Sequence, residues 1–99
     1  MSQVERPTFK AKYNNFINGE FVAPVKGEYF DNISPVDGKV FTQAARSSAE
    51  DIELALDAAH QAFPAWSTTS ATERSNMLLQ IAQVMEDNFE YLATLETID

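Results

Sequence analysis

Few residues of this chain carry reactive chemistry. There is one histidine, His60, and no cysteine, so neither a thiolate nucleophile, a thiolate zinc site nor a histidine pair for acid–base work is encoded. Three carboxylate pairs, Glu50-Asp51, Glu86-Asp87 and Glu96-Asp99, have the residue types of a glycosidase or a metal site. Each sits in an Ala-, Leu- and Glu-rich stretch, where a solvated helix face is the plainer reading. His60 lies between Leu56 and Phe63 with no acid or nucleophile placed to work with it, and reads as structural or exposed. Trp66, Phe16 and Phe21 read as core or anchor residues, and Arg74 as the anchor of a nearby carboxylate or helix end. Gly19, Gly27 and Gly38 are too widely spaced for a G-x-G-x-x-G turn or a P-loop, so no nucleotide cradle is expected.

These residues are distributed over two unlike halves. The chain has 99 residues and a net charge of −8, but residues 1–46 carry +1 and residues 47–99 carry −9, with Arg74 the sole base of the second half. An acidic balance argues against nucleic acid as a partner. No apolar leader opens the chain and no run of 18 apolar residues occurs, so a soluble cytoplasmic protein without membrane insertion is expected.

The first half is β-rich. Residues 1–12 lack periodicity and read as an arm. Phe16-Ile17-Asn18-Gly19-Glu20-Phe21-Val22 predicts a hairpin, because Asn-Gly tolerates the positive φ angles of a type I′ turn. A second hairpin is expected from Tyr29–Ile33, a Ser34–Gly38 turn and Lys39–Ala45. The second half predicts two helices. Ser48 with Asp51 resembles a capping box, and the helix it opens should stop near Phe63, before Pro64. Ser70-x-x-Glu73 opens the other, whose apolar stripe runs Leu78, Ile81, Met85, Phe89, Leu92 and Leu95.

Unbroken from Ala71 to Asp99, that helix would be about 43 Å long. A compact domain of this length is roughly 33 Å across. The helix would overhang its own domain unless it bends near Asp87-Asn88. Its stripe needs a partner surface that one helix and two hairpins do not supply, so the chain reads as the first part of something larger. A stand-alone α+β interaction module with an acidic helical face is the alternative.

Phe16-Ile17-Asn18-Gly19-Glu20-Phe21, followed by Ile33-Ser34-Pro35-Val36-Asp37-Gly38-Lys39-Val40, resembles the opening of the aldehyde dehydrogenase superfamily. The family pattern is F-I-N-G-x-[FW] and then N-P-x-x-G-x-V; Ser34 departs from it. Ala58-Ala59-His60-Gln61-Ala62-Phe63-Pro64-Ala65-Trp66 is similar to A-A-x-x-A-F-x-x-W. Thr72-Glu73-Arg74 and Leu92–Asp99 resemble the R-x-x-x-L helix and L-E-T-x-D. The blocks run in register from Phe16 to Asp99.

The resemblance implies an α/β parent enzyme of about five hundred residues that oxidises aldehydes with NAD or NADP and forms a homo-oligomer. Its motif wording is nearest bacterial enzymes acting on acetaldehyde or other short aliphatic aldehydes. It further implies that the catalytic cysteine, the general-base glutamate and the nucleotide-binding turn lie outside these residues. On that reading this α+β segment, two β-hairpins followed by two helices, is inactive and binds no cofactor alone. Residues 13–99 would be the incomplete N-terminal part of the cofactor-binding domain, with the remainder of the enzyme as their partner. The one site the resemblance carries here is a structural monovalent cation held by Asn32, Ile33 and Asp99.

Overall fold

The computed structural model describes residues 6–99; the first five residues of the expected arm lie outside the described residues. Five strands lead, β1 (Lys12–Tyr13), β2 (Asn15–Ile17), β3 (Glu20–Val22), β4 (Tyr29–Ile33) and β5 (Val40–Ala45). Three helices follow among the described residues, α1 (Ala49–Ser67), α2 (Ala71–Asp87) and α3 (Phe89–Ile98).

Both expected hairpins form. β2 and β3 pair antiparallel with Phe16 opposite Phe21, their rings edge to face at 4.9 Å. Asn18 (φ 55°) and Gly19 (φ 78°) take the two left-handed positions that a type I′ turn demands. β4 pairs antiparallel with β5, closed by Ser34–Lys39. Ser34 is fully buried there, and its hydroxyl accepts the Val36 N–H at 3.3 Å. Serine thus makes the turn contact that an asparagine side chain makes in an Asx turn.

The end of the arm is not loose. Lys12, its last residue, enters β1, which joins the far side of β5 in parallel, with Lys12 opposite Gln43. The order in this sheet is β1-β5-β4. Thr42 Oγ1 donates to the Lys10 carbonyl at 2.6 Å, and Phe9 meets Phe41 edge-on at 4.9 Å.

The first helix does not stop at Pro64. It runs on to Ser67. A proline removes one helical hydrogen bond, and so near the C-terminus few remain to lose. The stop comes from the hydroxyls that follow: Ser67 donates to the Pro64 carbonyl at 3.1 Å, and Thr68 and Thr69 to that of Ala65 at 2.9 and 3.2 Å. The Pro64 carbonyl gains a donor in this way, and that of Ala65 takes two hydroxyls beside the Thr68 N–H at 3.3 Å.

The expected second helix is two helices. Asn88 leaves helical geometry (φ −116°, ψ 23°), and its Nδ2 donates to the Val84 carbonyl at 2.8 Å. An asparagine side chain that binds the backbone competes with the helix, and here it ends α2. Leu92 N–H donates to the Asn88 carbonyl at 2.9 Å to begin α3.

The molecule measures 46 × 36 × 17 Å with a radius of gyration of 17.2 Å. A compact domain of this length has about 13 Å. The accessible surface is 7912 Å², where a compact protein of this mass shows about 5,700 Å². Ile98 is the one large hydrophobic side chain buried among the described residues. Local structure is complete, but there is almost no core.

Candidate functional site

The most extensive feature is an uncovered apolar face. Leu78, Ile81, Met85 and Phe89 recur along α2 and into α3, each more than half exposed and Phe89 reaching 71%. Where the end of α3 meets the three-stranded sheet, an open trough of about 660 Å³ lies between Phe9 and Phe41 on one side and Met85, Leu92 and Leu95 on the other. A smaller gap of about 410 Å³ separates the tip of the first hairpin from Ala55, Ala59 and Ala62 of α1. These are the dimensions of places where side chains from elsewhere would interdigitate, since protein interiors are close-packed.

The rim of the trough carries Asn32 and Asp99, two of the three expected cation residues; Ile33 is not among its lining residues. Asn32 Nδ2 donates to Asp99 Oδ1 at 2.8 Å, tying the end of α3 to β4. The β4–β5 register slips between Asn32 and Ile33, where Phe41 is the extra residue. A bulge of this kind leaves ladder groups free for other partners. The donor set would be main-chain carbonyls and one carboxylate. Oxygen ligands bearing a single formal charge fit a hard monovalent ion better than a divalent one. No cluster of three or more histidine, cysteine or acidic residues able to hold a metal occurs among the described residues.

The remaining candidates are not brought together. His60 is exposed on α1. Asp87 accepts from Gln83 Nε2 at 2.9 Å on the same helix, and Glu86 and Glu96 are exposed. Phe16 and Phe21 pair with each other on the open hairpin, and Trp66 is half exposed beside Arg74. Arg74 anchors a helix end rather than a carboxylate: its Nη2 donates to the Trp66 carbonyl at 2.6 Å. Three basic residues of the first half lie over strand aromatics, Lys10 over Phe21 at 5.5 Å, Lys12 over Tyr29 at 4.7 Å and Arg46 over Phe30 at 5.7 Å.

One residue read as solvated is not. Asp51 is only 2% exposed. Its Oδ1 accepts the Val25 N–H at 2.9 Å, and its Oδ2 accepts the Ser48 N–H at 2.8 Å and the Ser48 hydroxyl at 3.2 Å. Backbone N–H groups of Ser48 and then Val25 favour the carboxylate and hold its pKa below the ordinary aspartate value, against the opposing effect of burial. Asp51 therefore fastens the Pro24–Gly27 turn to the start of α1. The Ser48-x-x-Asp51 spacing signals the Ser48 contact; nothing local signals Val25.

No helix among the described residues is long and apolar enough to cross a membrane. Residues 21–99 match the model of the aldehyde dehydrogenase family. An aldehyde dehydrogenase of Deinococcus radiodurans is 72% identical over 93% of this chain and 18% of its own length. A long-chain-aldehyde dehydrogenase of an Acinetobacter species is 67% identical over 92% of the chain and 18% of its own length. The crystal structure of PnpE in complex with nicotinamide adenine dinucleotide superposes on 87% of the chain with a TM-score of 0.84 and 43% identity, again over 18% of that protein. The chain thus spans about a fifth of the length of the relatives it matches. The stand-alone interaction module finds no support in these matches, which are to aldehyde dehydrogenases several times longer.

Proposed function

The chain belongs to the aldehyde dehydrogenase family, and from that premise we propose that it is the leading segment of a longer enzyme that oxidises an aldehyde to a carboxylic acid with NAD. Its own part is structural. Residues 13–99 open the cofactor-binding domain, and their apolar face seats on the remainder of the enzyme. With no cysteine in the sequence, the thiolate that attacks the aldehyde carbonyl has to come from elsewhere in the enzyme. The nicotinamide supplies hydride acceptance, and residues 1–99 alone neither bind it nor turn over substrate. The observation that carries this reading is the face itself, left open in a chain with one buried large hydrophobic side chain among its described residues.

The choice of NAD draws on the structural neighbour solved with that nucleotide. The substrate class is an aliphatic aldehyde; the relative named for long-chain aldehydes widens it beyond the short ones of the motif resemblance. The enzyme works as a homo-oligomer in the cytoplasm. The test is expression of the whole reading frame. The longer protein should reduce NAD only when an aliphatic aldehyde is added, and residues 1–99 alone should not. A folded longer protein inert toward a panel of aliphatic aldehydes would refute the proposal.

Asn32, Ile33 and Asp99 form the structural cation site within this reading. At K⁺ a hundredfold above its dissociation constant, binding would add about 2.7 kcal/mol of stability. The expected result is a K⁺-dependent rise in the melting temperature of the longer enzyme that Asp99→Ala abolishes. An unchanged K⁺ response in that variant removes the site.

A further inference from the structure

Arg74 is the single base in a half with ten acidic residues. Its guanidinium lies over the Trp66 indole, 4.8 Å from the ring centroid, and its one side-chain hydrogen bond among the described residues goes to the Trp66 carbonyl. Nε is shielded from water and has no acceptor. The side chain is half-buried before anything covers the face.

Its position along α2 gives this isolation a meaning. Arg74, Leu78, Ile81 and Met85 follow one another at spacings of four, three and four, which places them on one helix face. Leu78, Ile81 and Met85 are all more than half exposed. Whatever surface covers the three apolar residues also covers Arg74 and removes the water that still reaches it. An arginine cannot escape by losing its proton. Left unpaired, it becomes a buried and uncompensated charge, the costliest arrangement such a surface could make. A carbonyl would satisfy a hydrogen bond but not the charge. A carboxylate satisfies both, and its two oxygens match the planar fork of the guanidinium.

We infer that an Asp or Glu side chain from the part of the enzyme beyond residue 99 pairs with the Nη1–Nη2 edge of Arg74, next to Trp66. The inference rests on the reading that the rest of the enzyme covers this face. Arg74 is then a positioning residue, locking the corner between α1 and α2 onto the enzyme body. The partner segment should carry its acid among apolar residues, because it must fill the ridge as well.

The test uses the longer enzyme with Arg74→Gln and Arg74→Lys. A carboxylate paired in the folded state has a lowered pKa, so its contribution is present above the ordinary carboxylate range and lost as pH falls through the lowered value. The melting temperature of Arg74→Gln should therefore lie several degrees below wild type at neutral pH, and the gap should close as pH falls below about 4, from the ordinary carboxylate range through the lowered value. Arg74→Lys, which keeps the charge but not the fork, should fall between. A contact to the Trp66 carbonyl alone does not titrate, and a gap equal at both pH values overturns the inference. A crystal structure of the active enzyme decides the matter even if the variants do not fold. An acidic oxygen about 2.8 Å from Nη1 upholds the pairing, and a water or a main-chain carbonyl there overturns it. Loss of the functional reading looks different, as wild-type enzyme without aldehyde-dependent NAD reduction.

Discussion

Phe89→Ala in the longer enzyme is expected to remove about 3–5 kcal/mol of stability. In the 99-residue chain alone the same change should cost no more than about 0.5 kcal/mol. The contrast follows from exposure. The ring is 71% exposed here, so deleting it removes almost no contact that this chain makes. If the remainder of the enzyme closes over the ridge, the same ring is a core residue and its loss leaves a cavity. Met85→Ala, on the adjoining turn, should follow the same pattern at about 2–5 kcal/mol. Denaturant melts of the longer enzyme measure one side. Binding of a hydrophobic dye and self-association measure the other, and both should weaken in the short chain when Phe89 is removed. Small, equal effects in both settings would mean that the ridge is not a seat for anything.

Asp51→Ala should be the most damaging change among the polar residues. It leaves the N–H groups of Val25 and Ser48 without their acceptor, in a place where the carboxylate was 2% exposed. Those two amides should then exchange with solvent on the order of tenfold faster or more, as read by hydrogen exchange over the Pro24–Gly27 turn and the start of α1. Asp51→Asn keeps the shape but offers one acceptor oxygen where the carboxylate offered two, so it should fall between wild type and alanine. Because the native pKa is lowered, the protection that Asp51 confers is present above the ordinary aspartate value, about 3.9, and fades as pH drops below it. The asparagine variant should lack that pH dependence. Equal exchange of the two amides in wild type and Asp51→Ala would show that the carboxylate fastens nothing.

Much of this architecture is legible in the residues because its causes are local. Asn18-Gly19 dictates its turn, Ser70 caps α2 by accepting the Glu73 N–H at 3.1 Å, and the stripe from Leu78 to Leu95 has helical period. The motif blocks carry the family in the same way, as short runs in fixed order. What escapes is non-local or a contest between neighbours. β1 consists of two residues without a pattern, each paired with a residue thirty-one positions on. Pro64 looks like a stop, but the hydroxyls of Ser67, Thr68 and Thr69 determine where α1 ends. The length of the second helix already points to a bend near Asp87-Asn88, but not to its cause, the side-chain bond from Asn88 to the Val84 carbonyl. Asp51 reads as a helix-capping acid on a solvated face until the turn holding Val25 is laid against it. Within the proposed cation site, the Asn32–Asp99 contact spans 67 positions, and only the family resemblance links those residues beforehand.

The pairing of β1 along β5 has a mechanical corollary. Tyr13 sits opposite Ala44 on one side of β5, and Tyr29 opposite Ala45 on the other. Fifteen intervening residues, with the first hairpin among them, therefore leave and rejoin the sheet at two points about 10 Å apart, twice the strand spacing. That segment is an excursion whose anchor points do not depend on its length. A change in the length of this excursion should therefore leave the register of the three-stranded sheet as it is, because β1 and β4 are each held by β5 and not by each other.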